Sequence, residues 1–412
     1  VSHLSRFVIV AVFVLATPFL ALAQDLVPEA PSAVLLDQLS GRVLFQKNPE
    51  RPIPPASLTK LMTLHLAWKA LEQGLIHPQD LVPITADTTG KAVPPGSSLM
   101  FLEPGQRVTV KDLLLGLAVD SGNDAGMTLA AFLGGSQQGF VSMMNTEAQA
   151  LGLSHTVFAD SFGYDARNLT TAGDFARFSR FYLAVHPQAV SMIHSVRQFA
   201  FPLEENRATG DRKRIRTILQ TNRNTLLGLY PGADGLKTGY IDESGYNLVA
   251  TAVRGEQRLV AVVLGIQGRS EAEGGRLRTA VGIKLLDFGF QNFPLRPLPL
   301  PNVKAVRVWF STPGTLQPAL AGATVYPLAS TELSKIEVHT EGAEEVAGPV
   351  SSGTVLGRAV WTKDGQEIYH VDLKAVTNAD PAPWWVGLWD RIVLFFRSFT
   401  GAQFPKNAVA RR

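Results

Sequence analysis

The chain contains no cysteine. That excludes disulfides, thiolate metal sites and cysteine nucleophiles together. Its eight histidines fall in no His-Glu-x-x-His or comparable spacing, so no metal site is expected, and His65 and His155 read as structural. No glycine-rich phosphate loop is present, and no cofactor is implied. Excess charge is also missing. There are 38 basic residues against 35 acidic ones, a net +3, and the basic residues are scattered, which argues against a nucleic-acid partner. An apolar run over residues 7–22 follows His3 and Arg6 and ends in Ala21-Leu22-Ala23. This pattern predicts a secretory signal peptide over residues 1–23, cut before Gln24, with a retained membrane anchor as the alternative. Without cysteine there is no lipobox. The mature chain is therefore expected to be exported, which in a bacterium means the envelope side of the membrane.

With 46% hydrophobic and 18% charged residues in 412, the remainder suits a globular protein of about two domains. Its organising stretch is Ser57-Leu58-Thr59-Lys60. Extended Ile53-Pro54-Pro55-Ala56 precedes it, and Leu61, Leu64, Ala67, Trp68 and Leu71 follow at helical spacing, so Ser57 falls at a helix start. Lys60 lies one turn along on the same face. A serine hydroxyl needs a base to become a nucleophile, and a lysine serves only when neutral. An unpaired backbone N–H at the helix start suits an oxyanion. The plainer reading is an N-cap serine beside an exposed lysine. Two further tripeptides, Ser121-Gly122-Asn123 and Lys237-Thr238-Gly239, follow in order. Each alone is weak. Three in this order form a recognised acyl-transfer signature.

Around these motifs the pattern predicts strands over residues 33–37 and 42–45, and a loop-rich segment over 76–110. Helices are expected over residues 110–119, 124–133, 139–152 and 171–185. Gly122 is expected to supply the unusual backbone angles at the exit of the 110–119 helix. Lys237 is placed on a strand, followed by a hairpin of residues 246–253 and 258–265 and a helix over 273–290. The proline-rich residues 294–301 read as a stiff connector and a domain boundary. Beyond it, short alternating runs such as 305–310, 335–339 and 368–373 predict a small antiparallel β-sandwich or barrel. Residues 384–399 form an amphipathic helix. Trp385, Leu388, Trp389, Ile392, Phe395, Phe396 and Phe399 share one face, with Gly387, Asp390, Arg391, Arg397 and Ser398 opposite. It is too short and too charged to span a bilayer and is suited to lying in the membrane interface. The alternative is a helix docked on its own β-domain.

On these motifs, and on Phe101-Leu102-Glu103-Pro104-Gly105, Asn222-Arg223-Asn224 and Asp234-Gly235-Leu236 ahead of Lys237, the chain resembles low-molecular-mass penicillin-binding proteins of the serine D-alanyl-D-alanine carboxypeptidase type. The resemblance implies an α+β fold, with a penicillin-binding/β-lactamase-like catalytic domain over residues 24–292. It further implies a β-rich domain over 293–379 and an anchoring helix and tail over 380–412. The implied partners are a peptidoglycan stem peptide ending in D-Ala-D-Ala, β-lactams, and the periplasmic face of the inner membrane. By similarity Ser57 attacks, Lys60 takes its proton, Ser121 passes it to the leaving nitrogen and Asn123 steadies Lys60. Lys237, Thr238 and Arg223 hold the substrate carboxylate, and the Ser57 and Tyr240 N–H groups, beside Gly239, form the oxyanion hole. A nearby Lys237 cation is expected to keep Lys60 neutral. Two rivals remain. A β-lactamase would need a deacylating glutamate, and Glu147, Glu204 and Glu205 stand in no recognised context for one. A non-catalytic stem-peptide binder would need no nucleophile.

Overall fold

The computed structural model describes residues 25–208, 216–399 and 405. The expected signal peptide over residues 1–23 and most of the basic segment 211–216 lie outside the described residues. Five antiparallel strands form the central sheet: β1 (Ser32–Asp37), β2 (Val43–Lys47), β3 (Ala233–Ile241), β4 (Gly245–Arg254) and β5 (Gln257–Ile266). Their spatial order is β2-β1-β5-β4-β3. Period-two alternation divides the side chains between two apolar layers. Val34, Leu36, Val260 and Val262 join a core shared with Leu58, Leu61 and Leu64. Ala33, Leu35, Leu259 and Ala261 join another with Val281 and Leu285. The sheet is thus covered on both faces, which is why β1, β4 and β5 are largely apolar.

The first face carries α1 (Lys60–Glu72), α2 (Val110–Leu115), α3 (Asn123–Gly134), α4 (Gln137–Ala150) and α5 (Ala172–Val185), and the second carries α6 (Glu271–Asn292). Side chains fix where several of these helices begin. Thr109 and Asp112 form a reciprocal capping box at α2, and Ser136, Thr171 and Ser270 cap α4, α5 and α6. His65 is structural, as expected. Its ring nitrogens lie 3.0 Å from Glu147 and 2.8 Å from His186, fastening α1 to α4 and to the end of α5.

The later strands form smaller sheets with two cores of their own. The largest sheet has the order Pro318–Leu320, β8 (Gln366–Ala375), β7 (Val355–Lys363), β6 (Ile336–Gly342). Trp361 is fully buried there, its indole donating to Pro299 O at 2.8 Å. The proline-rich segment is more than a connector, because Leu295–Pro297 pairs as a strand with Val325–Pro327. Arg42 bridges the two halves, binding Glu332 at 2.8 Å, and Glu332 also takes Lys363 at 2.7 Å.

The helix α7 (Trp384–Ser398) docks through a face that includes Asp390, Leu394 and Arg397. Asp390 is buried, accepting from Phe310 N at 2.7 Å and Arg307 Nη2 at 3.1 Å. Arg397 forms a two-pronged pair with Glu345 at 2.9 and 2.7 Å. Of the expected polar strip, Asp390 and Arg397 thus face protein, with buried Leu394 between them, while Arg391 and Ser398 are exposed. The aromatic face stays open, with Trp384, Trp385, Trp389, Phe395, Phe396 and Phe399 all exposed. Among the described residues no helix is long and apolar enough to cross a membrane.

Candidate active site

Ser57 sits, half-buried, in a 3-10 turn (Ala56–Thr59) that runs into α1. Two glycines let the chain close around this turn. A Cβ on Gly163 would lie 1.8 Å from Ala56 O, and one on Gly239 would lie 2.7 Å from Pro55 O and 3.1 Å from Ser57 N. Only a residue without a side chain permits such approaches. Gly239 thereby brings the edge strand β3 beside the backbone N–H of Ser57, with Tyr240 next along the strand.

Lys60 has no exposed surface. Its Nζ lies 2.8 Å from Ser57 Oγ, 2.8 Å from Asn123 Oδ1 and 2.6 Å from Phe162 O. Two of these partners, the amide and peptide oxygens, can only accept. A neutral amine has two N–H groups and one lone pair, so satisfying both oxygens leaves the lone pair facing the Ser57 hydroxyl. Burial pushes Lys60 down to about 7, Asp160 opposes this, Arg223 adds to it, and Asp124 opposes it again. Desolvation, helped by Arg223, thus lowers Lys60, and the mutual repulsion of Lys60 and Lys237, which disfavours charging both, acts in the expected sense. Asp160 shapes the loop that supplies Phe162 O, accepting backbone N–H bonds from Phe162, Gly163, Tyr164 and Asp165.

The expected 110–119 helix is divided. After α2 the chain widens into a π-turn, Gly116–Asp120, and Ser121 adopts the left-handed conformation at φ 59°. Gly122 was expected there, but it is extended (φ −61°, ψ 119°). Its glycine serves packing instead, since a Cβ would meet Met100 N and Asp124 Oδ1 at 2.8 Å. A serine held at positive φ is strained, and such residues gather at functional sites. Asn123 is buried and donates to Ser97 Oγ at 2.9 Å. Asp124 accepts from Met100 N and Leu102 N at 2.8 and 3.0 Å, tying α3 to that loop.

Lys237 lies on β3 opposite Val249, a residue of the helical-side core, and so points toward α1 and α3. It is buried, and its Nζ donates to Ser121 Oγ and to Thr238 O, each at 3.0 Å. Burial, then Lys60, Arg223 and Arg278, push its pKa well down. Thr238 is buried, while Tyr240 is exposed against Tyr246. Arg223 is exposed and anchored by Nε to Asp120 O at 3.3 Å.

The structure therefore brings together Ser57, Lys60, Ser121, Asn123, Lys237, Thr238 and Gly239, with Arg223 and Tyr240 at the rim. Sequence reasoning missed Ser97, Asp120, Asp160, Phe162, Gly163 and Arg278. The last is a buried cation on α6 whose guanidinium lies 3.5 Å from Arg223 O. Of the glutamates weighed for a β-lactamase, Glu147 is engaged by His65 and Lys69, and Glu204 pairs with Arg207.

The family model for D-alanyl-D-alanine carboxypeptidases matches residues 21–268. The D-alanyl-D-alanine carboxypeptidase DacC of Escherichia coli is 34% identical over 397 residues, covering 93% of this chain and 94% of that one. DacF of Bacillus subtilis is 33% identical, covering 83% and 84%. Among solved structures, penicillin binding protein 5 of Haemophilus influenzae superposes with a TM-score of 0.70 at 31% identity, covering 85% of this chain and 98% of that one. Penicillin-binding protein D2 of Listeria monocytogenes, in its ampicillin-bound form, matches with a TM-score of 0.53 at 27% identity, covering 64% and 98%.

Proposed function

Because the chain belongs to the D-alanyl-D-alanine carboxypeptidase family of serine peptidases and penicillin-binding proteins, we propose that its chemistry runs through Ser57, Lys60, Ser121 and Asn123, with Lys237, Thr238 and Arg223 holding the substrate. Ser57 Oγ attacks the carbonyl of the penultimate D-alanine of a peptidoglycan stem peptide as Lys60 takes its proton. The N–H groups of Ser57 and Tyr240 receive the oxyanion, where aligned donors are worth most. Collapse breaks the C–N bond, and Ser121 relays a proton from the lysine side to the departing nitrogen of terminal D-alanine. Water then hydrolyses the ester by the reverse proton path. Lys237 and Thr238 take the terminal carboxylate, with Arg223 assisting. A β-lactam would acylate Ser57 by the same attack.

One observation carries this reading: the buried Lys60 nitrogen is 2.8 Å from Ser57 Oγ, with its other directions taken by two acceptors. The test is mass spectrometry of a D-Ala-D-Ala pentapeptide incubated with the protein. Release of a single D-alanine is expected, and an unchanged peptide contradicts the reading.

We also propose that residues 24–292 act as the catalytic domain, residues 293–379 as a pedestal, and residues 380–412 as an attachment to the periplasmic face of the inner membrane after export. The docked helix α7 supports this, because its ion pairs hold the aromatic face outward. Burying such side chains is worth on the order of 1.5–3 kcal/mol each when complete. Partial burial of six of them leaves enough for reversible attachment.

A further inference from the structure

Asp120, the residue before Ser121, is 1% exposed, and neither of its carboxyl oxygens has a hydrogen-bond partner. A buried carboxyl without donors is disfavoured, and more so when ionised. The mechanism makes no use of it, yet it stands among the groups that do the binding. Its own backbone oxygen anchors Arg223 at 3.3 Å, and the hydroxyl of its chain neighbour Ser121 takes Lys237 at 3.0 Å.

We propose that Asp120 is a specificity-determining residue that sets the charge of the carboxylate-holding pocket. Uncharged, it leaves Lys237 and Arg223 free to attract the terminal carboxylate of the substrate. Ionised, it competes with that carboxylate for the same cations. The inference rests on the reading that Lys237 and Arg223 hold the carboxylate, and it adds a pH-dependent selectivity to that site.

The surrounding charges define where the change occurs. Burial raises Asp120 first, Asp124 on α3 raises it further, and Arg223 and Lys237 lower it, leaving it at about 8. The turn Val190–His194, packed against the same π-turn, contributes His194, which burial holds neutral by pushing it down to about 3. Lys60 on α1 is near neutrality, at about 7. Below about 8 Asp120 is thus a carboxylic acid and adds no negative charge to the pocket. As pH rises through 8 it loses its proton, the pocket loses one unit of positive charge, and carboxylate affinity falls. By reciprocity a bound carboxylate raises Asp120 further, so substrate and proton favour each other.

The experiment measures KM for diacetyl-Lys-D-Ala-D-Ala, and the inhibition constant of its C-terminal carboxamide, from about pH 6.5 to about pH 9. It is run on the wild type and on D120N, with D120S as a second variant should D120N melt early. The wild-type KM for the free acid is expected to rise about tenfold between pH 7 and pH 9, the extent of a single ionisation near 8. The carboxamide constant should stay level, and the variants should show no rise for the acid. A rise that persists in both variants assigns the titration to Lys237 and overturns the role of Asp120. If the acid and the carboxamide bind the wild type alike at pH 6.5, the carboxylate reading itself fails and the inference falls with it.

Discussion

The Lys237 ammonium nitrogen lies 3.0 Å from the hydroxyl of Ser121, joining the edge strand β3 to the strained turn after α2. On the other side of the cleft Lys60 joins Ser57 to Asn123. The two lysines therefore bracket one serine each. The Ser121 hydroxyl can accept from Lys237 while donating toward the leaving group. Ser121→Ala removes that relay without removing the nucleophile. Release of D-alanine should fall by roughly 10²–10⁴-fold, the usual worth of positioned acid–base catalysis. Near-normal turnover in Ser121→Ala would place the relay elsewhere.

Lys60 sets the pH response of acylation. Its pKa is lowered to about 7, chiefly by burial, and the active form is the neutral amine. The acylation rate should therefore climb about tenfold per pH unit below 7 and level off above it. Lys60→Arg keeps a cation that does not give up its proton, so acylation should drop by orders of magnitude at every pH. Stopped-flow acylation by a chromogenic cephalosporin measures both effects. A flat pH profile in the wild type would contradict the base assignment.

Gly239→Ala tests the contact between β3 and the nucleophile turn. The added Cβ would meet Pro55 O at 2.7 Å and Ser57 N at 3.1 Å, both backbone atoms with little room to yield. Overpacking of this kind costs about 1–3 kcal/mol of stability. A small displacement of Ser57 should cost more in rate, about 10²-fold. Comparison of the melting temperature with the acylation rate separates the two. Unchanged acylation would mean that β3 does not set the position of Ser57.

These sites differ in how far the sequence revealed them. Ser57, Lys60, Ser121, Asn123 and Lys237 were legible because each lies in a short motif whose spacing survives any tertiary arrangement. Phe162 was not, since it contributes a backbone carbonyl, which leaves no mark on residue type. Arg278 was one of two arginines on a long helix, and only the packing of α6 on the sheet brings it near Arg223. Strands β1, β4 and β5 were legible from their apolar runs, whereas β3 was placed by the Lys237 motif and the hairpin after it. The orientation of α7 was not: the pattern located its polar strip, but Arg307 and Glu345, distant in sequence, decide that Asp390 and Arg397 face inward. Gly122 misled because glycine usually signals positive φ, whereas here it answers a close approach of Met100 and Asp124.

Glu332 couples the two halves of the chain through Arg42 and Lys363. Burial acts to raise it, but the hydrogen bonds from Arg42 and Lys363 win and hold it down at about 2. A folded-state pKa below the ordinary 4.5 means that stability is fully present above 4.5 and is lost as pH falls toward 2. The contribution is at most about 3 kcal/mol. Glu332→Gln should lower the melting temperature at pH 7 and converge with the wild type near pH 2. Parallel melting curves across that window would remove Glu332 from the account of stability.

The exposed aromatic face of α7 predicts attachment to membranes. A chain ending near Asp380 should stay unbound in liposome flotation while releasing D-alanine from a short peptide at a similar rate. The Arg307→Ala, Glu345→Ala double variant should loosen the helix from the β-strands and expose it to proteolysis, while liposome binding persists. If full-length and truncated chains partition alike, α7 is a structural element only.

The central claim, that Ser57 is acylated with Lys60 as its base, is tested most directly by locating the covalent adduct. Peptide mass spectrometry after incubation with benzylpenicillin should find the penicilloyl group on Ser57 in the wild type and on no residue of a folded Ser57→Ala variant. An adduct on any other side chain, or one that persists in Ser57→Ala, would contradict the account.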